Sequence, residues 1–283
     1  MLSDLEAFLL RLATERAVLV TVGATRGSVP RETGAWMAVF AGAVGGAVGT
    51  IGGGHLEWDA MRHAREALGR GAEARPSAWS QAVTLGPSLG QCCGGALVLQ
   101  FEQVDASCAE ALRQRLTRGH APLALFGGGH VGRALVQALA PLPFDVTWID
   151  SRDEVFPQGL PIGVRTEYSE PVQRAVHDLA PRSSVLIMSF SHAEDLDIVA
   201  ACLQRQRSHG DLGFVGLIGS KTKWATFRRR LRQRGFSEAE LARVTCPIGL
   251  PGIQGKAPAV IAASVVAQLL LVCEATTNAR LTP

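Results

Sequence analysis

The strongest constraint on this chain is a short one. An apolar run at residues 123–126 passes directly into Gly127-Gly128-Gly129-His130-Val131-Gly132 and then into a helical pattern. A strand that turns through G-x-G-x-x-G into a helix needs glycine for three reasons: the tight turn, close approach of a ligand to the backbone, and packing of helix on strand. Further strand-like stretches at 145–149, 185–188 and 214–218 alternate with helical ones near 196–207, 224–234 and 258–273. That alternation predicts a parallel sheet covered on both faces, a Rossmann-like domain spanning 121–283. Asp150 ends the second strand about 20 residues past the turn, where an acid can bind ribose hydroxyls. Arg152 beside it reads either as a 2′-phosphate partner or as a solvated cation. Gly127, Gly129, Gly132 and Asp150 are therefore candidate nucleotide-binding residues; the competing reading is a scaffold whose glycines serve packing only.

Residues 1–104 read as a separate, mixed α/β domain, and 105–120 as a connecting helix and linker ended by Gly119 and Pro122. Ser3 is a suitable N-cap for a short helix over 3–13, and a strand is expected at 17–22. A turn-rich loop follows, then strands near 35–39 and 43–49. Thr50-Ile51-Gly52-Gly53-Gly54 leads into a helix running to about Gly69, and strands are expected at 79–85 and 96–101. The triple glycine thus lies at a helix N-terminus, whose unpaired N–H groups suit an anion. Gly52, Gly53 and Gly54 are candidate contacts for such an anion, while Arg31 by itself reads as a surface loop cation. His55 and Glu57 read first as a polar opening turn, Glu57 complementing the helix dipole.

Gln91-Cys92-Cys93-Gly94-Gly95 is the most unusual local sequence. Adjacent residues of a strand point to opposite faces, and paired glycines weaken any regular element, so two neighbouring thiols here have little packing logic. They indicate a ligand or a reactive sulfur, against the alternative of small buried cysteines beside a turn. The chain has six cysteines, and no second pair at ligand spacing makes a zinc site. Its net charge of +3 is far from a nucleic-acid footprint. The apolar stretch 259–273 is interrupted by Ser264 and Gln268 and is shorter than the roughly 20 residues of a bilayer span, so it reads as a core helix. Asp4 and Glu6 stand where a secretory leader carries Lys or Arg. A cytoplasmic location, with no membrane or nucleic-acid partner, is the expectation.

Taken in order, Gly27-Ser28-Val29-Pro30-Arg31, Gly49-Thr50-Ile51-Gly52-Gly53-Gly54-His55-Leu56-Glu57, the 85–95 loop, the 126–132 turn, Gly219-Ser220-Lys221-Thr222-Lys223 and Cys246-Pro247-Ile248-Gly249-Leu250 resemble the XdhC/CoxI family over nearly the whole chain. The resemblance implies a chaperone that binds molybdenum cofactor in or near the domain interface and protects it while a partner cysteine desulfurase installs the terminal sulfido ligand. It also implies delivery to apo xanthine dehydrogenase, and no turnover of its own. A homo-oligomer is expected of a protein that shields a labile ligand. Cys92 or Cys93 would meet the soft metal or its sulfur, while glycine-loop N–H groups and Arg31 suit the anionic phosphate.

The Ser191-His192-Ala193-Glu194-Asp195 stretch is similar to the family's histidine-and-acid loop, but Ala193 and Glu194 depart from a His-x-His pattern and leave a Ser191 or Asp195 helix cap as the simpler reading. Ser220, Lys221 and Lys223 stand at a similar strand exit and suit an anion. The rival to the chaperone is an NAD(P)-dependent oxidoreductase. It has only His130 and His192 as acid/base groups and leaves the cysteine loop unexplained. No catalytic or protein-bound metal residue is assigned.

Overall fold

The computed structural model describes residues 3–42, 46–69, 77–86 and 94–281. The chain divides into two compact units, Met1–Arg118 and Gly119–Pro283.

The first unit opens with α1 (Asp4–Leu12), held by a reciprocal cap: Glu6 N–H donates to Ser3 Oγ, and Ser3 N–H to Glu6 Oε2. Strand β1 (Ala17–Arg26) follows, then β2 (Trp36–Phe40), β3 (Ala47–Gly49), α2 (Gly54–Gly69), β4 (Ala78–Thr84), β5 (Ala96–Val104) and α3 (Ala109–Leu116). The strands form one antiparallel sheet in the order β3-β2-β1-β5-β4. Alternation along β1 puts Val18, Val20 and Val22 on one face, where they cluster with Leu56, Ala60, Ala64 and Ala67 of α2. Those four α2 positions recur at helical spacing and leave the other side of the helix to solvent. Ahead of the sheet, α1 places the Phe8 ring against Trp36 and Phe40.

The second unit contains β6 (Ala121–Phe126), α4 (His130–Leu139), β7 (Phe144–Asp150), β8 (Val164–Tyr168), β9 (Ser184–Ile187), α5 (His192–Ser208), β10 (Phe214–Leu217), α6 (Lys221–Gln233), α7 (Glu238–Leu241), β11 (Val244–Thr245) and α8 (Pro258–Leu281). Its six strands are all parallel, in the order β11-β10-β9-β6-β7-β8. The order reverses between β6 and β9, which makes that junction the topological switch point where ligands bind in such sheets. Side chains of β6 alternate between two cores. Ala124 and Phe126 join α5 and α6 on one face, while Leu123 and Leu125 join α4 and α8 on the other.

Strands β8 and β11 are not among those expected from the sequence. Strand β8 is a half-exposed edge, Val-Arg-Thr-Glu-Tyr, without an apolar run, and β11 has only two residues. Helix α8 is longer than expected. Its 258–275 stretch is long and apolar enough by composition to cross a bilayer, with mean hydropathy 1.9. Here it lays Ala262, Val265 and Leu269 into the core shared with Leu135, Val136 and Leu139 of α4.

The glycines of the β6–α4 turn separate by cause. A Cβ at Gly132 would lie 2.1 Å from the Gly127 carbonyl oxygen, and one at Gly127, where φ is +121°, would lie 2.0 Å from the Met188 carbonyl oxygen. Gly129 has φ −72° and open space where a side chain would stand. Gly132→Ala is therefore expected to destabilise the protein by about 2–4 kcal/mol, through overpacking against backbone that cannot move aside. Gly129→Ala is expected to stay within about 0.5 kcal/mol of the parent. Urea unfolding of both variants checks the contrast, and equal losses would contradict it.

Candidate functional site

Two groups of residues carry candidate chemistry, one in each unit. In the first unit three loops that are far apart in sequence converge. Gly95 lies so close to the 26–28 backbone that a Cβ there would be 2.3 Å from the Ser28 carbonyl oxygen and 2.7 Å from that of Arg26. Gly52 lies beneath Pro30, whose ring carbons stand 2.6–2.7 Å from where a Cβ would be. Arg31 donates through Nη1 to the Thr50 carbonyl at 3.3 Å and pairs with Glu32 at 3.1 Å. The loops carrying Gly27–Arg31, Thr50–Gly54 and Gly94–Gly95 are thereby tied together, with the guanidinium of Arg31 half-exposed among them. Cys92 and Cys93, the other candidates here, lie outside the described residues.

The glycine loop ahead of α2 does not wait for an external anion. Thr50 Oγ1, Gly53 N–H and Ile51 N–H all donate to Glu57 Oε2, at 2.6, 3.0 and 3.2 Å, and Gly52 N–H donates to Thr50 Oγ1 at 3.1 Å. The carboxylate of Glu57 folds back from the first turn of its own helix and takes the place expected for a phosphate. The N–H groups of Gly52 and Gly53, candidates for an anion, thus have acceptors within the loop. The expected dipole role of Glu57 is thus only part of what it does. His55 is exposed, 3.4 Å from Asp59 and beside Trp58.

In the second unit Gly127, Gly129, Gly132 and Asp150 do come together, at the carboxyl ends of β6, β7 and β9. Trp148 Nε1 donates to the Gly127 carbonyl at 3.0 Å and anchors the turn from below. Asp150 is buried, and its carboxylate is fully engaged. Oδ2 accepts from Gly128 N–H at 2.6 Å and from Arg152 Nη2 at 3.1 Å, and Oδ1 accepts from Arg152 N–H at 3.0 Å and Arg152 Nε at 2.9 Å. The partnership with Asp150 raises the guanidinium pKa of Arg152 further above its ordinary value. His130 opens α4 and is exposed.

Beyond these, the structure assembles a cluster that the sequence did not reveal. Lys223 Nζ donates to Asp195 Oδ2 at 2.6 Å and to the Ile218 carbonyl at 2.9 Å, while Asp195 Oδ1 accepts from the N–H and Oγ of Ser189, both at 2.9 Å. The pair is nearly dry, with side-chain exposures of 11% for Lys223 and 3% for Asp195. Removing one partner from such a pair costs about 3–5 kcal/mol, so it pins the exits of β9 and β10 to one another. The two residues are 28 positions apart, and no local pattern links them. Lys223 is thus committed to a carboxylate of its own chain. Ser191 caps α5, accepting from Glu194 N–H at 3.2 Å, while Asp195 serves the ion pair. Cys246, just past β11, is half-buried, and burial pushes its thiol up to about 11, against the opposing influence of Lys223.

A polar cavity of about 100 Å³ opens elsewhere, beside β6, β7 and β8, and is lined by Pro122, Thr147, Arg165, Glu167, Asp178 and Ser183 among others. Burial, reinforced by Asp178, raises the Glu167 carboxyl above its ordinary value.

The family description "XdhC Rossmann domain" matches residues 123–269, and "XdhC and CoxI family" matches residues 10–75. The uncharacterized protein YqeB of Escherichia coli (strain K12) is 30% identical over 251 residues, which is 88% of this chain. The chain spans 42% of that relative's length. A crystal structure described as a xanthine dehydrogenase from Bacillus halodurans is 20% identical and shares the fold, with a TM-score of 0.69 over 97% of this chain and 96% of that one.

Two outcomes follow from the site geometry. Glu57→Ala should lower the unfolding free energy by about 1–3 kcal/mol, because the Ile51 and Gly53 N–H groups and the Thr50 hydroxyl lose a charged acceptor; a change within error in denaturant titration would contradict the internal-anion assignment. At pH 8, peptide-mapped alkylation of Cys246 should run on the order of 100-fold slower than that of an ordinary thiol, and should quicken about tenfold per pH unit until near 11, as the thiolate forms. A rate that levels off below pH 9 would contradict the raised value.

Proposed function

The chain belongs to the XdhC/CoxI family, and from that membership we propose that it is a non-catalytic accessory factor that binds molybdenum cofactor as cargo. In this reading it protects the cofactor while a cysteine desulfurase installs the sulfido ligand, and then delivers it to apo xanthine dehydrogenase in the cytoplasm. The observation that carries the proposal is the convergence of the three glycine-bearing loops in the first unit, which ends at Gly95, two residues after the adjacent thiols in sequence.

The chemistry suits the cargo. A thiolate is a soft donor for a sulfur-rich metal centre, which assigns Cys92 or Cys93 to the metal end. Arg31 offers a planar cation to a phosphate, and its tie to the Thr50 carbonyl holds it at the loop junction. Glu57 plays another part, since its carboxylate within the Thr50–Gly53 loop keeps that loop in shape without cargo. Partner proteins must reach the same thiols for sulfur transfer and release, so the loop has to be accessible in at least one state of the complex.

Purified protein mixed with released molybdenum cofactor under anaerobic conditions should co-elute with molybdenum and pterin in near-equal amounts. Either Cys92→Ala or Cys93→Ala should abolish that retention, and Arg31→Ala should weaken it about tenfold, the typical cost of losing a charged hydrogen bond. Failure of the parent protein to retain either molybdenum or pterin would overturn the chaperone reading.

A further inference from the structure

A dinucleotide on a Rossmann turn needs three things beside the glycines: a free acid at the end of the second strand for the ribose hydroxyls, room beside the turn for the ribose, and a surface for the adenine ring. In this chain the acid is engaged, the space beside the turn is filled, and the nearby exposed ring is capped on one face by a cation. A carboxylate offers about four acceptor sites, and the four bonds to Asp150 come from Gly128 N–H, Arg152 N–H and the Arg152 guanidinium. The guanidinium carbon of Arg152 lies 4.3 Å above the ring of Phe190, at 68% the most exposed aromatic side chain among the unit's described residues. Val155 closes the remaining side. A Cβ at Gly128 would fall 2.4 Å from Val155 Cγ2, and Arg133 locks the arrangement by donating to the Gly128 carbonyl at 3.4 Å and to the Val155 carbonyl at 3.0 Å.

We infer that the segment Arg152–Val155 is a resident strap over the adenosine half of the crevice, that Arg152 determines which nucleotides the crevice refuses, and that neither NAD nor NADP binds there. The charge pattern argues the same way for both cofactors. Besides Asp150, the carboxylates of Glu154 and Glu194 stand close enough to act on Arg152, and Glu194 accepts from Ser151 Oγ at 2.7 Å. A pyrophosphate or 2′-phosphate entering here would meet those acids while the Arg152 guanidinium is already paired. The glycine turn therefore serves close packing of strand, helix and strap. The inference is independent of the cargo assigned to the first unit, and it removes the cofactor that an oxidoreductase reading requires.

Calorimetric titration of the full chain with NAD+, NADP+ and ADP-ribose tests it. The parent protein should bind each more weakly than about 1 mM. Arg152→Ala and Arg152→Ser, checked by circular dichroism for a native fold, should free the acid and the Phe190 face and tighten ADP-ribose at least tenfold over the parent. Binding of any of the three by the parent protein below about 100 μM would overturn the inference, whatever the variants do. So would a folded Arg152→Ala or Arg152→Ser protein whose affinity for ADP-ribose is unchanged.

Discussion

The second unit depends on one contact, the approach of helix α4 to the turn that precedes it. Gly132 rests on the Gly127 carbonyl oxygen at a distance no side chain permits, and the same carbonyl accepts from the Trp148 indole. Gly127 in turn lies against the Met188 carbonyl. Three strand ends, those of β6, β7 and β9, meet through this one peptide. A Cβ at either glycine would separate α4 from the sheet or β6 from β9, so the switch point of the fold and the packing of its core are the same physical fact.

Two glycine-rich turns that lead into helices, one in each unit, are answered from within. In the first unit Glu57 collects the N–H groups of Ile51 and Gly53, and in the second Asp150 collects that of Gly128. Oriented backbone N–H groups attract an anion in either case, and a tethered carboxylate is always at hand, with less entropy to lose than a free ligand. At both of these helix starts a carboxylate of the chain itself accepts from the loop's N–H groups. Elsewhere the same economy recurs: Lys223, an anion-site candidate by its place at a strand exit, is held by Asp195.

The architecture was legible because its signals are local. Capping by Ser3, the apolar alternation of β1, the helical spacing of Leu56, Ala60, Ala64 and Ala67, and the β6–turn–α4 sequence each lie within a dozen or so residues and report burial directly. Strand β8 was not legible, since an edge strand with one wet face needs no apolar run, and its membership of the sheet comes from pairing with β7. The candidate residues were legible as types. Glycine, acid, arginine and cysteine stood out by composition and spacing.

By itself, then, the sequence determined two α/β units, the parallel character of the second, the place of its glycine turn, and membership of a family through motifs spread along the chain. Tertiary structure decided what those motifs are bonded to. Whether Asp150 is free for a ribose depends on where Arg152 folds, and whether the 52–54 loop is open to phosphate depends on the rotamer of Glu57. The pairing of Asp195 with Lys223 depends on two strand exits meeting in space. Periodicity records which side chains leave water; it carries no record of which polar partner each will find, because that choice is made by chain segments far apart in sequence and brought together only in the folded protein.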